Sequence, residues 1–468
     1  MPIQDQSQTE LETSKTSNAT PVTRQAPSTR FWSVISESTE YLFPWCIFLA
    51  PFLIFSYRFP LGIRYAAATL LLVPALMRGL FLRRSWPGRG PVLLLVLCSL
   101  PSLYATDFPE ITTEKLMIHA LAISVYIGIV SVRRDLHDLM LLTLLLTGAT
   151  VLLAVLGPFT TEYAAKGKFL PTAWVRILPF RLPEILDANL LANVIGMVLP
   201  IVLAFGLWGR KLLFRRGVQL GCWMLLGLLG LGLLLTESRA GYLAVLVAIS
   251  LVLGFYYERA KAVLMIVGLG TFVVFFLIPY GSFLDSATGS VSTLEGRREV
   301  WERAISMIWD FPWTGIGAGT FSEVGPLLYP FLVHPPSLQV QHAHSLFLQA
   351  AVDFGIPGLM AFLSLLACTL VLGRNAWRKF KVARNDLGCA LAVGYSCGLV
   401  VMVVHGILDA PLWLTKPAPL PFFLMGILAA LSAVPAQEGE LSDRKSAVRE
   451  VLCRRLYSKM KPTGETGV

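Results

Sequence analysis

Two histidines stand close together at a boundary between polar and apolar sequence. His342 and His344 lie in the run Gln341-His342-Ala343-His344-Ser345-Leu346, directly before a long apolar stretch. Imidazole exchanges protons near neutral pH, so a histidine at the rim of a helical bundle can serve as a general base. Two other interpretations stay open: an interfacial structural histidine, and a metal site built from His334, His342 and His344. Carboxylates and cysteines that would complete a metal site are not evident nearby in the sequence.

Arginines occur at two other boundaries of the same kind. Arg239 lies in Thr236-Glu237-Ser238-Arg239-Ala240-Gly241, and Arg297 and Arg298 lie in Gly296-Arg297-Arg298-Glu299-Val300-Trp301. Arginines beside a helix N-terminus, where backbone N–H groups also face outward, can bind an anion. The alternatives are a snorkelling arginine at position 239 and a solvated basic patch at positions 297–298.

A histidine and an aspartate near the end of another apolar run can extend this site. His405 and Asp409 are four residues apart, so a helix would place them on one face. A structural pair explains this spacing equally well. His342, His405, Asp409 and Arg298 are therefore accessory candidates.

Composition determines the kind of element that must position these residues. Of the 468 residues, 55% are hydrophobic and only 15% are charged, which excludes an ordinary soluble fold. Apolar runs of about 20 residues, enough to cross roughly 30 Å of hydrocarbon as helices, recur along nearly the whole chain. The sequence predicts an all-α membrane protein.

We predict about twelve transmembrane helices and one large extracytoplasmic loop between spans nine and ten. The spans lie near 41–58, 65–82, 91–104, 115–131, 139–157, 188–208, 218–235, 240–257, 263–281, 345–372, 387–410 and 419–434. The predicted organisation is a disordered cytoplasmic tail at 1–40, helices one to nine at 41–281, the loop at 282–343, helices ten to twelve at 344–434 and a cytoplasmic tail at 435–468.

The distribution of basic residues indicates the orientation in the membrane. Although the net charge is +10, Lys and Arg cluster between apolar runs, which indicates topology and excludes a basic nucleic-acid-binding domain. Alternate connections are basic, the last of them with Arg374, Arg378, Lys379, Lys381 and Arg384, whereas the outside connection 105–114 is acidic and the outside connection 158–187 is an exception with four basic residues. Both termini are therefore expected in the cytoplasm.

Other classes of site are not indicated. The seven cysteines form no CxxC pair, so neither a disulfide framework nor a zinc ribbon is predicted. Glycines 315, 317 and 319 match no nucleotide-binding motif, because no strand precedes them and no GK[ST] follows. Within the large loop, apolar residues between Arg297 and Phe311 recur at helical spacing, which predicts an amphipathic helix that ends at Pro312 and lies against the outer membrane surface.

Taken together, these motifs resemble those of the O-antigen ligase and polymerase superfamily. The resemblance is carried by Ser238-Arg239-Ala240-Gly241, by Gly296-Arg297 followed by Trp301, by Pro312-Trp313-Thr314-Gly315-Ile316-Gly317-Ala318-Gly319-Thr320-Phe321, and by His344-Ser345 followed by nine residues and Gly355-Ile356-Pro357-Gly358. Many members have Asn where this chain has Ser345, and Arg298 beside Arg297 leaves two candidates for one arginine.

The resemblance implies a metal-independent, inverting glycosyltransferase without a cofactor, in the bacterial inner membrane with its active site on the extracytoplasmic face. It implies that Arg239 and Arg297 bind the pyrophosphate of an undecaprenyl pyrophosphate-linked glycan donor. His344 would activate the acceptor hydroxyl of a lipid-linked compound, a glycan or a protein. The enzyme would act in surface polysaccharide biosynthesis, surrounded by membrane lipids.

Two alternatives to a ligase remain. A polymerase that joins repeat units would use the same motifs, because the acceptor is selected by loops that diverge. A polysaccharide or lipid flippase would also suit about twelve helices, but transporters usually place charged groups and broken helices near the bilayer midplane in both halves of the chain.

The predicted topology can be tested by cysteine labelling. Because the loop 282–343 is expected outside, cysteines introduced at Ser290 and Ser322 should react with a membrane-impermeant thiol reagent once the outer envelope is opened. Labelling that appears only after lysis of the inner membrane would contradict the predicted orientation.

Overall fold

A computed structural model describes residues 86–131, 135–160, 187–212, 216–236, 238–257, 268, 294–330, 340–410, 412–415 and 417–436. Within these ranges the chain is helical and contains no strand. The predicted spans near 41–58 and 65–82, the tail 1–40 and His334 lie outside the described residues. So do the predicted span near 263–281, apart from residue 268, and the C-terminal tail beyond residue 436.

The described residues form twelve helices. They are α1 (Arg89–Ser99), α2 (Ser102–Ala105), α3 (Pro109–Ser131), α4 (Leu136–Thr160), α5 (Ala188–Leu212), α6 (Arg216–Leu235), α7 (Arg239–Tyr256), α8 (Leu294–Asp310), α9 (Phe321–Leu328), α10 (Leu346–Val382), α11 (Asp386–Leu408) and α12 (Pro419–Ala433).

The predicted spans within the described ranges all correspond to helical segments. Six helices are long and apolar enough to cross a membrane: α3, α4, α5, α7, α10 and α11. Three apolar segments are shorter, namely Arg89–Ala105, Gln219–Leu235 and Pro419–Ala433. The first of these is divided into α1 and α2 at Pro101, which has no N–H to donate and whose ring clashes with the preceding turn. Over the described residues the chain is an all-helical, multi-pass membrane protein.

Helices α5 and α11 form the centre of the bundle, and glycines let them approach closely. A methyl group added at Gly398 would lie 2.5 Å from the carbonyl oxygen of Met197, and one at Gly394 would lie 2.8 Å from the Cα of Ile201. Small residues one helical turn apart allow such backbone contact between membrane helices. This packing places the C-terminal end of α11 beside the N-terminal end of α5.

Helix α10 is broken at Gly355, the first residue of the Gly355-Ile356-Pro357-Gly358 motif. Gly355 has φ 70° and ψ −179°, a conformation that side-chain-bearing residues rarely adopt. The backbone groups near the break bond to the preceding loop: Ile316 N donates to Val352 O (2.9 Å) and Ile356 N donates to Pro312 O (2.8 Å). These bonds satisfy polar groups that the interrupted helix leaves unpaired.

The far end of α10 differs from the prediction. The span was expected to end near residue 372, with Arg374, Arg378, Lys379 and Lys381 in a connection, whereas α10 continues to Val382. Lys379 Nζ donates to the carbonyl oxygens of Leu431, Ser432 and Val434. A cation is favourable at the C-terminal end of a helix such as α12, so this basic stretch is stabilised as helix by its neighbour.

The large loop has a small apolar core of its own. The predicted amphipathic helix is present as α8, and the chain turns at Pro312. Its buried face, with Val300, Ala304 and Met307, packs with residues of α9 and of α10, and α9 was not predicted. Trp309 on its other face is exposed, and contact with the membrane surface remains a prediction.

Candidate functional site

His344 lies in a short segment, residues 340–345, that leads into α10. Its backbone has φ 47°, which is uncommon for a residue with a side chain. Hydrogen bonds on both sides hold it: Ala343 N donates to Gln349 Oε1 (2.7 Å), and Trp301 Nε1 donates to the His344 carbonyl (3.3 Å). The backbone of His344 is therefore fixed by α8 and α10 together.

The ring of His344 is oriented by a buried carboxylate. His344 Nδ1 lies 3.1 Å from Asp409 Oδ1, which also accepts from Ala410 N at 2.9 Å, while Asn189 Nδ2 donates to Asp409 Oδ2 at 3.0 Å. Donors on both oxygens stabilise the ionised carboxylate. The hydrogen bond to Asp409 assigns the imidazole proton to Nδ1, which leaves the lone pair on Nε2 free to accept a proton.

His342 has a different role in the same cluster. Its Nδ1 accepts from His344 N at 3.2 Å and lies 3.8 Å from Asp409 Oδ1, too far for a hydrogen bond. Burial lowers the pKa of His342 to about 4; the charge of Asp409 opposes this shift, and those of His344, Arg297 and Lys115 add to it. His342 is therefore neutral at neutral pH, with Nδ1 occupied by the backbone.

The two histidine rings are closer together than their spacing suggests. Residues i and i+2 present their side chains to different places in a regular helix. Here the ring centroids are 4.3 Å apart and both rings lie beside Asp409. The left-handed backbone at His344 turns the chain at this point.

His405 lies one helical turn before Asp409 in α11 and is fully buried. Neither ring nitrogen has a hydrogen-bond partner among the described residues. The charges of Asp409 and Arg297 both act on the ring. A buried polar side chain without a partner is unusual, and His405 is therefore next to the charged groups of the site without being bonded to them.

The structure distinguishes the two neighbouring arginines of α8. Arg298 is exposed and pairs with Glu302 at 2.9 Å, one turn further along the helix. Arg297 is half-buried, and its Nε has no hydrogen-bond partner among the described residues. Burial lowers the pKa of Arg297, with opposing effects from the charges of Asp409, which raises it, and Arg239, which lowers it. Of the two, only Arg297 faces the other candidate residues.

Arg239 is the first residue of α7. Ser238 caps this helix, with its side chain accepting from Gly241 N at 3.3 Å, and Arg239 is exposed. Its charge acts on Arg297, so the two guanidinium groups share one region. Two arginines beside the N-terminus of α7 form a favourable environment for an anion.

The glycine-rich loop, residues 315–319, packs so closely against neighbouring segments that there is no room for side chains at its three glycines. All three have positive φ, and a methyl at Gly315 would lie 2.4 Å from Val352 O, one at Gly317 2.6 Å from Thr106 and one at Gly319 2.5 Å from Lys115. The loop is therefore seated between α10 and the start of α3 and does not resemble a phosphate-binding loop.

Several residues near the site were not predicted. They are Lys115, Asn189, Gln349, Asp353 and Trp413, each of which bonds to or acts electrostatically on one of the residues above. A signal for three of them was present in the sequence. Asn189, Gln349 and Asp353 are polar residues inside predicted spans, where such residues are expensive and often functional.

His342, His344 and Asp409 also form a group that could hold a metal ion, since their ligand atoms lie within 4.8 Å of one another. Asp409 supplies the carboxylate that the sequence did not place nearby. A metal bound through Nδ1 of both histidines would have to displace the His344–Asp409 hydrogen bond and the bond from His344 N to His342 Nδ1. The metal-free site stays a prediction.

Comparison with known proteins identifies the family of the central segment. Residues 224–363 match the family model described as O-antigen ligase, which confirms the resemblance to the O-antigen ligase and polymerase superfamily. No curated protein matches the chain. The matched segment contains Arg239, Arg297, His342 and His344, whereas Asp409 lies beyond it and joins these residues through the fold.

Proposed function

We propose that this chain, a membrane protein with an O-antigen ligase domain at residues 224–363, is a glycosyltransferase. It transfers a glycan from an undecaprenyl pyrophosphate-linked donor to an acceptor hydroxyl at the extracytoplasmic face of the bacterial inner membrane. The observation that carries the proposal is the His344–Asp409 pair beside the guanidinium of Arg297.

His344 is suited to the role of general base. A base has to be held in one tautomer and one orientation to be effective. The Asp409 carboxylate at 3.1 Å provides both and stabilises the imidazolium that forms when Nε2 accepts a proton. His342 is a poorer candidate, because its Nδ1 already accepts a backbone hydrogen bond.

Arg239 and Arg297 are suited to binding the leaving group. Pyrophosphate leaves readily once its developing charge is neutralised, and planar guanidinium groups can do this with paired hydrogen bonds and without a metal. Burial of Arg297 strengthens its attraction for an anion, because less water screens the charge. The N–H groups at the start of α7 add positive potential beside Arg239.

The reaction balances with these residues alone. The acceptor oxygen forms a bond to the anomeric carbon from the face opposite the pyrophosphate, and its proton passes to His344 Nε2. The bond between the anomeric carbon and the phosphate oxygen breaks, and its electron pair leaves with the pyrophosphate. Attack from the opposite face inverts the anomeric configuration.

The nature of the products tests the proposal against its alternatives. Purified protein would be incubated with a lipid pyrophosphate-linked glycan and, separately, with lipid A core, a repeat-unit glycan and a hydroxyl-bearing peptide. Glycan joined to an acceptor hydroxyl is the expected product, and a product on lipid A core would identify a ligase. A lengthened glycan would identify a polymerase, and movement of the donor lipid between leaflets without any transfer would identify a flippase.

The two arginines should not tolerate lysine. Arg239→Lys and Arg297→Lys each keep the charge but lose the paired hydrogen bonds, so transfer should fall by at least about tenfold in each. Arg298→Lys is the matched control, since Arg298 is exposed and pairs with Glu302, and its effect should be mild. Wild-type turnover in the double variant Arg239→Lys/Arg297→Lys would contradict the assignment.

His344 should carry the proton of the acceptor. We expect His344→Ala to lower turnover by roughly a hundredfold or more, the usual scale for losing a positioned base, with donor binding largely unchanged. His342→Ala should be much milder. Membrane expression of each variant is measured in parallel, and equal losses in the two would contradict the assignment.

The rate should also fall as the medium is acidified, because a protonated base cannot accept another proton. Burial lowers the pKa of His342 to about 4, so a loss of rate in milder acid is not caused by His342. A rate that does not change on acidification would argue against a histidine base.

Removal of metal ions distinguishes the two chemistries that the histidine cluster permits. If arginines neutralise the leaving group, transfer should survive EDTA. If His342, His344 and Asp409 hold a metal, EDTA should abolish transfer and added metal should restore it. Reversible inhibition by the chelator would replace the arginine mechanism with a metal mechanism.

A further inference from the structure

Asp353 is a second buried aspartate at the site end of α10, and it belongs to none of the motifs that the proposed function uses. Its side chain is fully buried. Oδ1 accepts from Gly319 N at 2.9 Å and from Gln349 Nε2 at 3.0 Å, and Oδ2 accepts from Trp413 Nε1 at 2.7 Å. The charge of Lys115 also acts on it. A buried carboxylate with three donors is a fully satisfied and therefore rigid group.

One of these hydrogen bonds leads to His344. Gln349, which donates to Asp353, also accepts from Ala343 N at 2.7 Å through Oε1. Ala343 is the residue before His344, and both Ala343 and Gln349 are buried. The position of the His344 backbone is thus set by a two-step chain of hydrogen bonds that starts at Asp353.

Another hydrogen bond leads to Asp409. Trp413, which donates to the other oxygen of Asp353, lies four residues after Asp409, in the segment that follows α11. Its ring packs between Phe354 and Phe362 of α10, with centroid distances of 5.7 Å and 5.1 Å. The segment that carries Asp409 is therefore anchored to α10 at the same carboxylate.

We propose that Asp353 is a positioning residue, which fixes the separation of His344 and Asp409 by binding the two chain segments that carry them. The two segments are about sixty residues apart in the chain, His344 and Asp409 being separated by 65 positions. Asp353 and its direct partners join these segments in addition to the His344–Asp409 pair itself. This inference rests on the proposed function only in assuming that the His344–Asp409 pair contributes to the rate of glycan transfer.

The substitution Asp353→Asn tests this role with little change in size. Donors approach both oxygens of Asp353, so an amide in either orientation turns its NH₂ group toward another donor. Two further variants each remove one of the two hydrogen-bonded links from Asp353. Gln349→Met removes the link to the segment of His344, and Trp413→Phe removes the link to the segment of Asp409. Thr369→Val is the control, since Thr369 is equally buried in α10 and bonds only to its own helix at Leu365.

The first measurement does not need activity. Diethyl pyrocarbonate labels accessible neutral imidazoles, and mass spectrometry gives the labelling of His344 relative to exposed His137 in α4. Asp353→Asn, Gln349→Met and Trp413→Phe should each raise this ratio severalfold, and Thr369→Val should leave it unchanged. Buried His119 should stay unlabelled in any variant that keeps its fold. An unchanged labelling ratio in folded variants that lack one of these links would overturn the proposal.

The second measurement is a double-mutant cycle in the transfer assay. Asp353→Asn should lower kcat by roughly tenfold to a hundredfold, with the KM for the donor little changed, because a small displacement of the base costs rate. In the His344→Ala background the same substitution should cost almost nothing more. Losses that multiply would overturn the proposal. If the wild-type protein transfers no glycan, the proposed function fails, while the labelling ratio still decides the role of Asp353.

Discussion

A carboxylate can remain ionised inside an apolar bundle only where donors surround it. Asp409 receives donors from the start of α5, from the segment before α10 and from its own backbone. These segments must therefore converge at the end of α11. The close contact of α5 and α11 at Gly398 makes this convergence possible, and the orientation of the histidine follows from it. The geometry of the site therefore depends on the packing of α5 against α11.

The electrostatics of the site are asymmetric. On one side Asp409 is satisfied by direct hydrogen bonds, while on the other Arg297 keeps an unpaired Nε among the described residues and lies in the field of Arg239. Two like charges that share one region repel each other, and an anion between them offsets this repulsion. The site therefore has one region suited to proton transfer and another suited to binding a phosphate group. Glycosyl transfer from a pyrophosphate requires both.

Much of the fold and of the candidate site could be predicted from the sequence. The features that could not be predicted depend on contacts between distant segments or on local backbone conformation. Apolar runs predicted the helices, and local motifs predicted α8 and the residues Arg239, Arg297 and His344 as candidates. Hydrophobic periodicity carries no information on which distant segments meet, so the bond between Asn189 and Asp409, 220 positions apart, could not be predicted. The extension of α10 to Val382 was missed for the same reason, because it depends on α12. The positive φ at His344 could not be predicted either, because the residue type does not indicate it.

The break at Gly355 also has a consequence for biogenesis. A helix entering the bilayer normally satisfies its backbone by itself, but α10 depends on Pro312 and Ile316 of the preceding loop for two of its hydrogen bonds. Those partners are earlier in the chain and are synthesised first. The loop can therefore be in place when the span emerges, so that insertion of α10 and docking of the loop form one assembly step.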